Sequence, residues 1–430
     1  MAKKKKAVKA PRELTRRQIS HHRQQQRRQR IIFIGGITVI AAVILVILAG
    51  WLTGEYIPFH RTVLKVNGAS FSTGYLINYL EMAGTTRPNT TLSQLAGSAY
   101  QQLAQDELMT KAAADLGITV SKKEAADAVR NANIPVTDGA VGFVRSLMLR
   151  DRLNSQYFGK LVPNSDNQVH ALIMMLESDT QAQAIRGRLE SGDNFTALAT
   201  QYALNYYSKN TNNGDFGWHP VAIYQAQLGS AIPVDYAFSA GAGDFSQPLN
   251  DNETYKQLGY WLIRVNSRPQ PESANVSALL ISDVVLADGI KARLEAGESL
   301  TGIADKYTQY SPSRDKHGEL GMMSQTDNIS DAFNGYVFGP AAEVGKWSNP
   351  IRDENYWSQG GSWLVKVVGR ENNRTITTDD RNFLINKAFE DWANRLWSNP
   401  ANQVDDSYFN SDIQNFVIEQ AAKGLQKPRG

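Results

Sequence analysis

"NGDFGWHP", residues 213–220, and "HGELGMMS", residues 317–324, write the same glycine-acid-apolar-glycine turn twice. Working outward from them exposes a long internal repeat. The first copy contains "VHALIMML" at 169, "IRGRLESGDNFTALATQY" at 185, the turn, "AFSAGAGDFSQPL" at 237 and "GYWLIRVNSR" at 259. The second contains "VSALLISD" at 276, "IKARLEAGESLTGIADKY" at 290, the turn, "VFGPAAEVGKWSNPI" at 337 and "GSWLVKVVGR" at 361. Five blocks keep their order, at offsets of 107, 105, 104, 100 and 102, which chance similarity would not do.

Each block has a physical reading. A first strand feeds a helical stretch with apolar residues Ile185, Leu189, Phe195, Leu198 and Ala199, matched by Ile290, Leu294, Leu300, Ile303 and Ala304. A glycine at 192 or 297 divides that stretch into two short helices. In the last strand, alternation sets Trp261, Ile263 and Val265 on one side, and Trp363, Val365 and Val367 in the second copy. Both copies read as α+β domains of about 100 residues, with breaks at Pro163–Asp166 and at "SRPQPESAN", 267–275.

Upstream, "IIFIGGITVIAAVILVILAGWL" runs uncharged from Ile31 to Leu52, enough to cross a hydrocarbon core of about 30 Å. It is longer than a signal peptide's apolar region and has no small-x-small exit, so an uncleaved single-pass anchor is expected. Residues 1–30 carry twelve Lys/Arg against Glu13 alone, which predicts a basic cytoplasmic tail and extracytoplasmic domains after the span. Such an arm could also bind nucleic acid, but the adjoining span makes it a topology signal facing acidic phospholipid. The chain has no cysteine, which excludes structural disulfides, zinc-thiolate sites and cysteine nucleophiles.

Between span and repeat, "VLKVNGASFS" at 63–72 reads as two short strands about an Asn67-Gly68 turn. Helices follow through Ser93–Gly117, through a capping box at Ser121/Glu124, and over Val141–Phe158. Near the C-terminus, Phe383, Leu384, Ala388, Phe389, Trp392 and Leu396 form a helical apolar stripe, followed by an amphipathic stretch through Phe409, Ile413, Phe416 and Val417. The expected division is 1–30 tail, 31–52 span, 63–162 helical domain, 166–268 and 274–370 as the two α+β domains, and 377–424 as C-terminal helices.

The repeated pattern of strand, "LxxGxxFxxLAxxY", G-D-L-G-like turn, "GxxSxP" and closing strand resembles the parvulin domains of peptidyl-prolyl isomerases. With a helical segment opening on "VNGxxFS", the whole resembles foldases of the PpiD, SurA and PrsA type. The resemblance implies a helical chaperone domain and two isomerase-fold modules. It implies no metal and no cofactor. Its expected partners are unfolded or proline-containing exported polypeptides and a membrane, with the translocon as a further candidate and no nucleic acid.

The family's catalytic residues are a histidine pair on adjacent strands and an acid before the turn. The first histidine aligns with Ile173 and Leu280 and the second with Trp261 and Trp363, while Asp315 lies displaced from the acid's place, so no catalytic residue is assigned. The pocket positions hold Ile329, Phe333 and Phe338 in the second copy and Phe238 in the first, beside Gly229 and Pro233. The tryptophans read either as core or as an aromatic floor for proline-containing segments. His170 is shifted by an odd number of residues onto the other strand face; His219 and His317 read as loop surface, and Asp215 and Glu319 as caps for turn amides. The expectation is therefore a foldase binding exported chains through parvulin-like domains with eroded sites. An active isomerase working through the second copy and an envelope scaffold are the alternatives.

Overall fold

A computed structural model describes residues 36–87 and 90–426. The basic tail and the first residues of the apolar segment, up to Gly35, lie outside the described residues. The apolar segment continues as one helix, Gly36–His60, long and apolar enough to cross a membrane by length and composition. The chain divides into two compact units, residues 1–159 with 388–430, and residues 160–387.

In the first unit, β1 (Thr62–Val66) and β2 (Ala69–Ser72) form the hairpin, with positive φ at Asn67 and Gly68. Helices Thr73–Thr86, Leu92–Asp115, Lys122–Asn131 and Asp138–Leu153 pack around Leu76, Leu80, Leu103, Leu108 and Phe143. Ser121 accepts the Glu124 amide as expected, whereas the full reciprocal capping box is at Thr91 and Gln94. The late sequence belongs to the same core: β11 (Val404–Asp405) pairs with β1, and helix Ser411–Gln426 inserts Val417 and Ala421. A helix over Thr378–Ser398 precedes them, and its Phe389 meets Phe158 edge-on.

The second unit holds two four-stranded antiparallel sheets, and their membership departs from the written order of the repeats. One sheet runs β4 (Asp215–Pro220), β3 (Ser165–Leu176), β10 (Ser358–Thr375), β5 (Leu249–Lys256). The other runs β8 (Glu319–Ser324), β7 (Ser273–Ile281), β6 (Gly259–Gln270), β9 (Ile351–Asp353). The strand that ends each sequence copy therefore closes the other copy's sheet: Trp363 lies opposite Met175, and Trp261 opposite Leu280. The break at 267–275 is a connection within one sheet, β6 to β7, so the sheets do not separate at the expected boundary between 268 and 274.

Side-chain alternation then builds two cores per sheet. In the first, Ile173, Met175, Trp363 and Val365 face Phe216, Tyr224 and Val234, while Met174, Leu176 and Leu364 face Ile185, Leu198 and Ala199 from helices Asp179–Glu190 and Phe195–Tyr202. The second repeats this, with Trp261, Ile263 and Leu280 against Phe333 and Val337, and Leu262, Leu279 and Ile281 against Ile290, Ile303 and Ala304. Hydrogen bonds equate the copies atom by atom. The amides of Ile173 and Ala278 donate to the Gly214 and Gly318 carbonyls, and Leu204 and Gln309 donate to those of Met175 and Leu280. The structural partner of Ile173 is thus Ala278, two residues before the Leu280 that the sequence blocks set against it.

The opening turns are one backbone solution used twice. Asn213, Gly214 and Gly217 have φ of 53°, 80° and 68°, and His317, Gly318 and Gly321 have 53°, 92° and 83°. A Cβ at Gly214 would stand 2.7 Å from Ala199 Cβ, and one at Gly318 2.8 Å from Leu300 Cδ1. Glycine is required both by conformation and by the closeness of the helix. Gly214→Ala and Gly318→Ala should each destabilise the chain by about 2 kcal/mol or more in urea titrations, whereas Gly302→Ala, in an open helical position, should be neutral or stabilising.

Where the strands cross, the connecting segments pair with each other, Ser358 opposite Lys256 and Gln359 opposite Tyr255. Lys256 is fully buried, donates to the Gly360 carbonyl, and has its ammonium pushed down to about 8 by burial, against the opposing fields of Asp283 and Glu177. A lysine depressed in the folded state disfavours folding while protonated, so its penalty is full below about pH 8 and fades toward 10.5. Wild-type stability relative to Lys256→Met should therefore rise by up to about 3 kcal/mol between pH 7 and 10, measured by paired urea titrations.

Candidate functional site

The expected pocket residues fall into two groups, and the strand crossing re-sorts them. Trp261 joins Ile329, Phe333 and Phe338, whereas Trp363 joins Phe238. Both indoles and the Phe333 ring have no exposed surface, while Ile329, Phe338 and Phe238 are half-buried.

Each tryptophan is held by a constellation that the sequence reading did not find. Trp261 Nε1 donates to Asp353 Oδ2 at 2.8 Å, and Ser330 Oγ donates to the same oxygen. Trp363 Nε1 donates to Asp251 Oδ2 at 2.9 Å, joined by Ser230 Oγ at 2.6 Å. Ser230 and Ser330 are also the N-caps of helices Ala231–Ser239 and Asp331–Val337, so each aspartate fixes a strand and a helix start together. Burial opposes the charge on Asp251, yet donations from Ser230, Trp363 and the amides of Glu253 and Thr254 hold its carboxyl below the usual range. The available signal was an aspartate two residues after the Pro-Leu and Pro-Ile of matching blocks, at 251 and 353.

The two surroundings differ. Around Trp261, Tyr310, Phe333 and Tyr356 stand edge-on with centroids 4.9 to 5.1 Å away. Tyr356 donates to the Ile329 carbonyl, and burial raises its hydroxyl to about 12. In the first sheet, Asn205 stands where the second has Tyr310, accepting the Met175 amide and donating to Ser208. The expected first-histidine positions hold buried Ile173 and Leu280.

The histidines are used elsewhere. His170 Nε2 pairs with Asp215 Oδ1 at 2.7 Å, and that oxygen also accepts the Gly217 amide, so Asp215 caps the turn. His219 is on strand β4 rather than loose loop surface, with Nδ1 2.7 Å from Oδ2 of buried Asp380. His317 is an exposed turn residue bonded to Asp305. Among the described residues no cluster of His and acidic residues could hold a metal ion.

The helical unit contains a cleft of about 360 Å³ with Met109, Phe143, Leu147 and Phe389 among its apolar walls. Asp106 lies at its buried side, accepting from Tyr79 Oη at 2.7 Å and Gln102 Nε2 at 3.1 Å, and burial pushes its carboxyl up. Arg150 stacks on Phe389 with its guanidinium 4.6 Å from the ring centroid.

Residues 23–142 match a family described as a SurA-like N-terminal domain. A foldase protein PrsA from Halalkalibacterium halodurans is 29% identical over 167 residues, 38% of this chain and 45% of the relative, so the matched region spans less than half of that protein. Solved PrsA structures from Bacillus anthracis and Bacillus subtilis are 10% and 12% identical, over 76% and 85% of this chain and 97% and 93% of theirs, with TM-scores of 0.27 and 0.20. A SurA-like helical domain is thus followed in this chain by repeated α+β sheets. Residues 23–142 are similar to SurA-like N-terminal domains, and a stretch of the chain is similar to a PrsA foldase.

Replacing Trp363 by Phe and Asp251 by Ala, singly and together, should give a coupling energy of roughly 1.5 to 3 kcal/mol in a double-mutant cycle on urea unfolding, as for a buried hydrogen bond to a charged group.

Proposed function

We propose that this chain is a membrane-anchored extracytoplasmic foldase that holds unfolded exported polypeptides, its two parvulin-like sheets serving as binding modules without prolyl turnover. The observation that carries this is the fate of the closing-strand position: in both sheets an indole fills it, spends its only N–H on a buried aspartate, and exposes no surface. Catalysing rotation about a prolyl bond requires groups that favour the twisted amide over the planar one. Neither site presents such a group to a ligand from the histidine positions.

Client contact is then assigned to the half-buried rim of the second module, Ile329, Phe338, Tyr310 and Tyr356. The cleft of the helical unit adds a second apolar recess, and its mixture of rings and polar groups suits varied sequences. The anchor reading rests on helix Gly36–His60 and on the basic residues before it in the sequence. A second reading, isomerisation by the second module, draws on the Tyr310 and Tyr356 hydroxyls at that rim.

The test uses the full chain in lipid nanodiscs. It should suppress aggregation of a reduced, unfolded client at near-stoichiometric ratio, with Ile329→Ala/Phe338→Ala weakening suppression several-fold. In a protease-coupled prolyl tetrapeptide assay it should stay within about twofold of the uncatalysed rate, which runs over tens of seconds. Turnover well above that rate, lost in Tyr356→Phe, would establish the second reading instead. Failure in both assays would leave a scaffold.

A further inference from the structure

We propose that the two closing strands are interchangeable, so that the chain populates two topological isomers: the crossed form described above, and an uncrossed form in which β6 closes its own repeat's sheet and β10 the other. The slots they fill are chemically the same. In one, Ile263 exchanges backbone bonds with Ser348, its amide donating to Oγ at 2.9 Å and its carbonyl accepting the Ser348 amide at 2.8 Å. In the other, Val365 does the same with Ser246, at 2.9 Å in both directions. Each slot offers an aspartate to an indole N–H and demands a glycine two residues before it. A Cβ at Gly259 would stand 2.6 Å from Leu280, and one at Gly361 2.5 Å from Met175.

The strands meet those demands equally, as Gly-Tyr-Trp-Leu-Ile-Arg-Val and Gly-Ser-Trp-Leu-Val-Lys-Val. On the tryptophan face the exchange swaps one Ile for Val, a difference of a single buried methylene. The uncrossed form would need only local hairpins, β5 to β6 and β9 to β10, whereas crossing pairs Trp363 with Leu249 across the whole intervening module. Each form thus contains local hairpins, since β6 and β7 pair across residues 271–272 when crossed, and the uncrossed form replaces the one long-range closure, that of β10, by a local one of smaller entropic cost. What favours crossing is the β6–β7 hairpin, the Tyr260 bond to Glu177, and the ribbon between the connecting segments, with Gln309 bracing Gln359 and Lys256 bonded to Gly360.

A chain without cysteine allows a direct test. Ile173 faces Val365 in the crossed form, and in the uncrossed form it would face Ile263, the structural counterpart of Val365. Full-length Ile173→Cys/Val365→Cys and Ile173→Cys/Ile263→Cys are refolded from urea with an oxidant, and intrachain disulfides are mapped by mass spectrometry. The expected result is the first link in most molecules and the second in at least about a tenth of monomers, the second being enriched at early times. Absence of the 173–263 link in monomers, or its confinement to covalent dimers, would overturn the proposal. A second measurement needs no core substitution: in the wild-type chain Lys256 is buried only while the ribbon is paired. Its labelling by an amine reagent under native conditions should proceed faster than global unfolding, and protection equal to the global value would equally overturn the idea.

Discussion

The second unit depends on a buried indole N–H aimed at a buried carboxylate, made twice. Removing an aspartate's charge from water is costly, and it is tolerated here because each carboxylate collects several donors. Those donors come from a strand, a helix cap and a turn, so one charge fixes three pieces of backbone. The same bond removes the tryptophan from the surface. The group that organises the sheet is thereby fully enclosed in both copies.

The strand crossing multiplies that constraint. Because Trp261 and Asp353, like Trp363 and Asp251, are supplied by different sequence copies, neither sheet is complete without a strand from the other. Two modules written in tandem become one interlocked unit. The junction concentrates buried polarity: Tyr260 donates to Glu177 at 2.8 Å, Arg352 reaches both, and Lys256 lies buried beside them. In the crossed arrangement each of these groups finds a polar partner, which gives the junction specificity that apolar packing alone would not supply.

Much of this was legible in the sequence. Strict alternation gave the Trp261/Ile263/Val265 face, and helical spacing gave the Ile185/Leu198/Ala199 face, because burial on one side imposes a period that survives any tertiary arrangement. The turns were legible because positive φ at Gly214 and Gly318 admits few residues. The crossing was not legible, for the reason that makes exchange plausible: alternation says which side a strand buries, and it says nothing about which of two equivalent slots receives it. Asp251 and Asp353 were missed because an acid following a Pro-apolar pair reads as loop, and only the return of the indole converts it into core.

The aromatic shell separates the two copies functionally. Trp363 is backed by a first sheet in which Asn205 satisfies the strand amide at the position where the second sheet has Tyr310. Trp261 is enclosed by Tyr310, Phe333 and Tyr356, of which the two tyrosines are half-buried. A surface of rigid rings over a closed core loses little entropy when an extended chain docks, since two-torsion aromatics are already ordered by the packing beneath them. On the proposed reading, the buried indole is the foundation of a binding face, and its closer aromatic enclosure makes the second module the better candidate for that face.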